Sequence, residues 1–303
     1  MAEGGGAPPA EAVRGAKGVS VAIVAVVAVV LFLAGVGVGW LVFSPPPTRV
    51  TKLFLGTNTP FPPFEFYEDL PSGGTNLTGF DVDLIEEIVS RGFGFDQCTA
   101  TVTTNCYEWT DFQTFLPLLA AVGEGRIDIG VGAITMNGAT GASRNRTMDF
   151  SNPYYEADQG VLKRTSDTTN YCQATDCTVA ELNLGSLRVG VQEITTSQFW
   201  AEDNLPAVVA ADNLVVLGTV ADVLLALQND VVDIVIMDLP AAQGVAAGNP
   251  SFTVEGTIQT NELYGFAVAN NDPLGLVLII NAQLQAIRAD GTYDDLIDKW
   301  FQG

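Results

Sequence analysis

Two stretches, FLPLLAAVGEGRIDIGVG at 115–132 and ADVLLALQNDVVDIVIMD at 221–238, follow one plan: a Leu-rich helix, a polar turn, then Asp-Ile entering a strand. They lie about a hundred residues apart, which suggests two lobes of one design. Around the first, β-type runs at Leu53–Thr57, Thr99–Thr104 and Ile127–Ala133 alternate with amphipathic runs at Phe80–Arg91 and Phe112–Val122. Around the second, strands at Leu187–Val191, Leu214–Leu217 and Val231–Met237 alternate with helices at Ser197–Asn204 and Ala221–Gln228. Such alternation implies parallel or mixed α/β sheets. In Phe80–Arg91 the apolar positions have helical spacing, and Asp81 suits the N-cap. From Leu274 to Phe301 the chain reads as helical, with a break at Gly291.

The 303 residues fit about two domains, and 48% hydrophobic content with 16% charged residues supports a sizeable core. Lys plus Arg is 13 and Asp plus Glu is 35, a net charge of −22, so nucleic acid is a poor partner. Histidine is absent, which removes Ser/His and Cys/His dyads and the commonest metal ligand.

The run VSVAIVAVVAVVLFLAGVGVGWLVF at 19–43 contains no charged residue and exceeds the roughly 20 residues needed to span a bilayer as a helix. It reads as an uncleaved transmembrane anchor, because Ser44-Pro45-Pro46-Pro47 offers no clear cleavage site. Arg14 and Lys17 precede it, so residues 1–18 form a cytoplasmic tail and the chain from Ser44 onward lies outside. Localisation is then the cell membrane, single-pass, with an extracellular or periplasmic ectodomain lifted by the Pro-rich linker 44–49. The outside compartment permits disulfides. Four cysteines allow three connectivities, of which Cys98 with Cys106 and Cys172 with Cys177 are favoured as local staples over thiolate metal sites. Asn76-Leu77-Thr78 and Asn145-Arg146-Thr147 are glycosylation sequons.

Seven blocks, GTNTPFPPFEF (56–66), LTGFDVDLIEEIV (77–89), RIDIGVGAIT (126–135), RNRTMDFSNPYY (144–155), LRVGVQEITTSQFW (187–200), VDIVIMDLPAA (232–242) and ADGTYDDLIDKWF (289–301), together resemble extracellular solute-binding proteins of polar amino acid ABC transporters. They stand in the family's order and cover nearly all of 50–303. The resemblance implies an α/β, two-lobed periplasmic-binding-protein type II (Venus flytrap) fold, here with an N-terminal transmembrane helix. Lobe 1 would comprise 50–163 and 264–303 and lobe 2 would comprise 164–263, with crossings near Leu162–Thr165 and Glu262–Ala267. It further implies a monomer that is not an enzyme, needs no cofactor or metal, and delivers an amino acid to an ABC transporter permease. A ligand-sensing ectodomain related to ionotropic receptors and a dehydratase or lyase share the fold and compete with that reading.

A free amino acid is a zwitterion, and enclosing it requires a partner for each charge. Arg suits the carboxylate and Asp the ammonium. Similarity assigns the first role to Arg144, five residues before Asp149, and the second to Asp238. Thr195 and Thr196 match a threonine turn that supplements the carboxylate site, Phe61 the pocket aromatic and Phe112 the first-lobe wall. Thr135 and Ala133 fall where the family contacts the ligand's main-chain groups, with Gly130 and Ala133 replacing its usual hydroxyls. Arg146 competes with Arg144, Asp238 doubles as a helix cap, and Thr195 and Thr196 also suit a plain helix start. Eight residues separate Thr135 from Arg144 where the family usually has two, so the Arg144 loop is longer. Asn58 stands where binders of basic amino acids often carry an acid, which weighs against a basic ligand.

Overall fold

The computed structural model describes residues 50–302. The tail, anchor and linker assigned to 1–18, 19–43 and 44–49 lie outside the described residues. Among the described residues no helix is long and apolar enough to cross a membrane.

Lobe 1 opens with β1 (Lys52–Thr57), β2 (Phe66–Asp69), β3 (Thr75–Thr78), a helix at Phe80–Phe93, β4 (Asp96–Gln97) and β5 (Cys106–Asp111). A helix at Phe115–Gly123, β6 (Ile129–Gly130), a helix at Gly138–Arg144 and β7 (Met148–Phe150) follow. The chain then crosses on β8 (Tyr155–Arg164) into lobe 2, which holds helix Val179–Leu182, β9 (Val189–Gln192), helices Thr196–Asn204 and Pro206–Ala210, β10 (Leu214–Leu217), helix Val220–Gln228, β11 (Ile234–Asp238) and helix Leu239–Gly248. It returns on β12 (Phe252–Tyr264) and finishes lobe 1 with β13 (Ala267–Ala269) and helices Leu276–Asp290 and Thr292–Phe301. The expected break between these last two helices is Gly291, at φ 89°.

The lobe 1 sheet has the order β4-β5-β1-β6-β13-β7, and the lobe 2 sheet the order β10-β9-β11-β8-β12. In lobe 1, β1 runs parallel to β5 and β6; in lobe 2, β9 runs parallel to β10 and β11. Each sheet is covered on both faces, which is why its strands read as continuous apolar runs. In lobe 1, Ile85, Ile88 and Ile280 pack on one face, and Phe115, Leu118 and Val122 form the cluster on the other. Lobe 2 repeats this with Leu205 and Val208 in one cluster and Val223 and Leu227 in the other. Burial of each such side chain stabilises by about 1.5–3 kcal/mol.

Three expectations are corrected. Thr99–Thr104 is not a strand: the Cys98–Cys106 disulfide closes this segment into a loop, and pairing with β1 begins at Cys106. Asp81 does not cap its helix, whose N-cap is Gly79. Its carboxylate is buried and accepts hydrogen bonds from the Ala133 amide at 2.8 Å and from the Tyr154 hydroxyl. The first crossing lies earlier than Leu162–Thr165, since Gln159–Lys163 already pair with Asp238–Ile234 of the lobe 2 sheet. The change of lobe coincides with a slip in the β8–β12 register between Ile258 and Glu262. There Asp158 accepts from the amides of Thr260 (2.8 Å) and Asn261 (2.9 Å), and such irregularities bend strands. The second disulfide, Cys172–Cys177, also takes the local pairing and packs into the lobe 2 core.

Candidate binding cleft

Four parallel strands end at the gap between the lobes. The carboxyl ends of such strands are where open α/β sheets place ligands. β1 leads to Asn58, Phe61 and Glu65, β6 to Gly132, Ala133 and Thr135, β9 to Thr195 and Thr196, and β11 ends on Asp238 itself; all of these line one cleft. The Phe61–Glu65 turn is closed by Phe61 N–H to Glu65 O at 2.7 Å. It rests on Gly79, where a Cβ would come within 2.1 Å of the Phe64 carbonyl oxygen.

On the lobe 1 side, the helix Gly138–Arg144 delivers Arg144 into the cleft, almost fully buried. The longer loop therefore does not prevent its reach, because its extra residues fold into that helix. The guanidinium donates to the carbonyls of Thr135 (2.9 Å) and Ile194 (3.3 Å) and lies 5.3 Å from the Phe115 ring centre. One bond goes to each lobe, which leaves part of the five-donor fork without a protein partner. Arg146, the competing arginine, is exposed and does not line the cleft. Burial lowers the Arg144 pKa to about 10, an effect opposed by Glu262 and Asp238.

On the lobe 2 side, the helix Thr196–Asn204 points its first turn at the cleft. Thr195 is its N-cap, accepting from the Gln198 amide at 3.3 Å and donating to the Gln192 carbonyl at 2.7 Å. The amides of Thr196 and Ser197 belong to the first turn, whose N–H groups have no partner within the helix. Val220, Val223, Leu224 and Met237 make the rest of this wall aliphatic. Two residues beside the cleft, Ala133 at φ 48° and Ile194 at φ 64°, hold left-handed conformations that favour glycine, a pattern concentrated at functional sites. Ala133 is pinned through its amide to Asp81, and Ile194 through its amide to Gln198 Oε1 at 2.6 Å.

At the back, the hinge strands carry a polar network. Gln159 donates to Asp238 and to Glu262 (2.7 Å) and accepts from the Ser197 hydroxyl (2.6 Å). Thr135 donates to Glu262 at 2.7 Å, and the Tyr264 hydroxyl donates to Asp238. Burial, with the nearby Glu262 charge, raises the Asp238 pKa to about 7 despite those hydrogen bonds. Burial, then the charges of Asp81, Asp238 and Asp111, push Glu65 well above the ordinary carboxylate range. Asp81 rises to about 6, again chiefly through burial.

The lobes touch on both sides of the gap. Gln192 Nε2 reaches Asn58 Oδ1 at 3.4 Å, Ile194 packs on the Phe115 cluster, and a Cβ on Gly244 would meet the Pro62 carbonyl oxygen at 2.7 Å.

Of the residues expected at the site, Asn58, Phe61, Ala133, Thr135, Arg144, Thr195, Thr196 and Asp238 share this cleft. Phe112 does not line it: its carbonyl accepts from Asn58 Nδ2 at 2.6 Å, and the wall position goes to Phe115. Asn58, bonded at both ends of its amide, ties the lobes together. Glu65, Phe115, Gln192 and Ser197 were not expected. Glu65 carried a signal, a lone carboxylate between Phe64 and Phe66; Gln159 and Glu262 carried none, since their meeting depends on the β8–β12 register.

This geometry, two α/β lobes joined by paired hinge strands and closed over a charged cleft, defines a solute-binding protein. Residues 53–303 match the family described as bacterial extracellular solute-binding proteins, family 3, and the chain belongs to that family. It is 29% identical over 251 residues to a probable histidine-binding protein of Campylobacter jejuni, covering 82% of this chain and 84% of that one. With the ABC transporter glutamine-binding protein GlnH of Bacillus subtilis it shares 27% identity over 232 residues, 77% of this chain and 75% of the other. Among solved structures, an ancestral arginine-binding protein bound to glutamine superposes with TM-score 0.65 at 28% identity, covering 83% of this chain and 98% of that one. Holo ArgBP from T. maritima does so with TM-score 0.63 at 28% identity, over 82% and 96%. The chain is a binding protein and not an enzyme.

Proposed function

We propose that the cleft captures one free amino acid and that the closed, loaded form hands it to an ABC transporter permease. The observation that carries this reading is the placing of one buried guanidinium and one helix start against a buried aspartate within a single cleft. The ligand carboxylate binds the Arg144 fork, supplemented by the first-turn amides of Thr196 and Ser197, where the helix dipole favours an anion. The ammonium binds Asp238, whose oxygens keep acceptor capacity beyond the bonds from Gln159 and Tyr264. Phe61 and the aliphatic residues of lobe 2 enclose the side chain. Because the partners come from both lobes, ligand and closure stabilise each other, and the closed form is the one a permease distinguishes.

In this reading the protein acts as a monomer, tethered outside the membrane by residues 19–43, with 44–49 as spacer and the lobes dividing on the hinge strands. A thermal-shift screen of the full chain in detergent against the standard amino acids tests the capture step, since a bound ligand raises the melting temperature by mass action. No shift with any amino acid sinks the reading. Retention in the membrane fraction, lost when residues 1–43 are removed, tests the tether.

A further inference from the structure

Among the described residues that hold a positive φ and are not glycine, Ile194 at 64° is the only β-branched one; the others are Asn, Asp and a single alanine. Asn and Asp tolerate the left-handed region, whereas a branched Cβ crowds the backbone there. The turn explains the backbone. β9 ends at Gln192, Thr195 caps the helix that starts at Thr196, and the Ile194 amide between them donates to Gln198 Oε1 at 2.6 Å. It does not explain the side chain, since glycine would take this conformation without strain.

That side chain reaches the other lobe. Among the described residues Ile194 is the one lobe 2 residue packed on the lobe 1 cluster that includes Phe115, Leu119 and Met148. It does not line the ligand cleft but a neighbouring groove, together with Leu116 and Leu119 of lobe 1 and Phe199 of lobe 2. Its carbonyl accepts from Arg144 across the gap at 3.3 Å. A strain borne inside lobe 2 is thus matched by an apolar contact that exists only while the lobes are together, and no ligand group takes part in it. Closing the cleft empty strips water from Arg144 and Asp238 with nothing to replace it, so the empty closed form needs a favourable contribution of its own. Burial of an aliphatic side chain across the gap is one.

We propose that Ile194 is a latch, which draws the unliganded protein into the closed form and so tunes affinity from outside the ligand's contacts. Where the open form dominates without ligand, stabilising the closed form tightens apparent binding by the same factor. The proposal rests on the hinge closure of the reading above but concerns a contact that the amino acid does not make.

The test reads the gap with no ligand present. All four cysteines are paired, so spin labels can be directed to Ala142→Cys in lobe 1 and Asp203→Cys in lobe 2, both exposed, in the full chain in detergent. Pulsed EPR of the ligand-free protein should show a short-distance population beside the open one. Ile194→Gly keeps the carbonyl and removes the side chain, and should lower that population about fivefold. Ile194→Val should restore most of it. A residue that merely shapes the turn would not be rescued in this way, because valine is as ill suited to φ 64° as isoleucine. Melting curves report whether each variant folds; should the glycine variant fail to, Ile194→Asn removes the apolar contact with a residue that accepts the conformation. An empty wild type with a single open distance, or a short-distance population left unchanged by Ile194→Gly or Ile194→Asn, overturns the latch. None of these measurements uses an amino acid, so the capture reading stands or falls separately on its own thermal-shift screen.

Discussion

The lobe 1 side of the cleft presents ionic and aromatic groups, Arg144, Glu65, Phe61 and Phe115, whereas the lobe 2 side presents hydroxyls at a helix start, an aliphatic wall and Asp238. Neither side alone can desolvate a zwitterion. Lobe 1 has the cation but no aspartate among its lining residues, and lobe 2 has the aspartate and the Thr195-capped helix start but no cation among its lining residues. Arg144 already bonds one carbonyl in each lobe, so the group proposed to meet the ligand also bridges the gap. In the proposed reading, division of labour between the walls makes closure a condition of tight binding.

The largest departure is expected from Arg144→Ala. It removes the carboxylate partner and the link to Ile194, and ligand affinity should fall by about 100-fold or more, because truncating a buried charge pair costs about 2–5 kcal/mol. Arg144→Lys keeps the charge but loses the fork and should recover only part of the affinity on calorimetric titration. Unchanged binding by Arg144→Ala would show that lobe 1 does not supply the cation. Asp238→Asn, the complementary change on lobe 2, should cost about 10- to 100-fold, read in the same way.

Gly244→Ala separates closure from contact chemistry. In a helix interior this change ordinarily stabilises by about 0.5–1 kcal/mol. Here the new methyl would stand 2.7 Å from the Pro62 carbonyl oxygen of the other lobe. Affinity should therefore drop while the unliganded melting temperature does not, and X-ray scattering with saturating ligand should report a more open molecule than wild type. Thr195→Ala should destabilise lobe 2 by about 1 kcal/mol through loss of the cap, a melting-temperature change of roughly 2–4 °C.

The smallest effect is the pH dependence of the empty protein. Asp81 and Asp238 titrate near about 6 and about 7 in the fold, and Glu65 is raised as well. In the unfolded chain such carboxyls titrate near about 4. The folded form therefore holds more protons across that window. The stability due to these groups is complete below the unfolded pKa and is lost as pH rises through 6 to 7. The melting temperature without ligand should be a few degrees lower at about pH 8 than at about pH 5.5, and Asp238→Asn should flatten the difference.

Much of this molecule was legible before folding. The two echoed passages became the helix–strand pairs Phe115–Gly123 with Ile129–Gly130 and Val220–Gln228 with Ile234–Asp238, one pair in each lobe. Local cysteine spacing was enough for both disulfides, because short loops close most easily. The misreadings share one cause. Thr-rich 99–104 has strand composition but is closed into a loop by its flanking disulfide, and Asp81 has the residue type of a cap but is drawn inward by Ala133 and Tyr154. In each, a contact distant in sequence or made by cross-linking overrode a local preference.

The roles of the charged residues divide in the same way. Motif order and residue type sufficed to nominate Arg144 and Asp238, because a zwitterion needs a cation and an anion and such groups are scarce in apolar strand ends. That Arg144 rather than Arg146 enters the cleft, that Phe115 rather than Phe112 forms its wall, and that Glu65 is left without a partner follow from burial, register and the approach of two lobes. Those depend on which segments meet across the hinge, and a desolvated carboxyl acquires its unusual proton affinity only after the surrounding chain has excluded water from it.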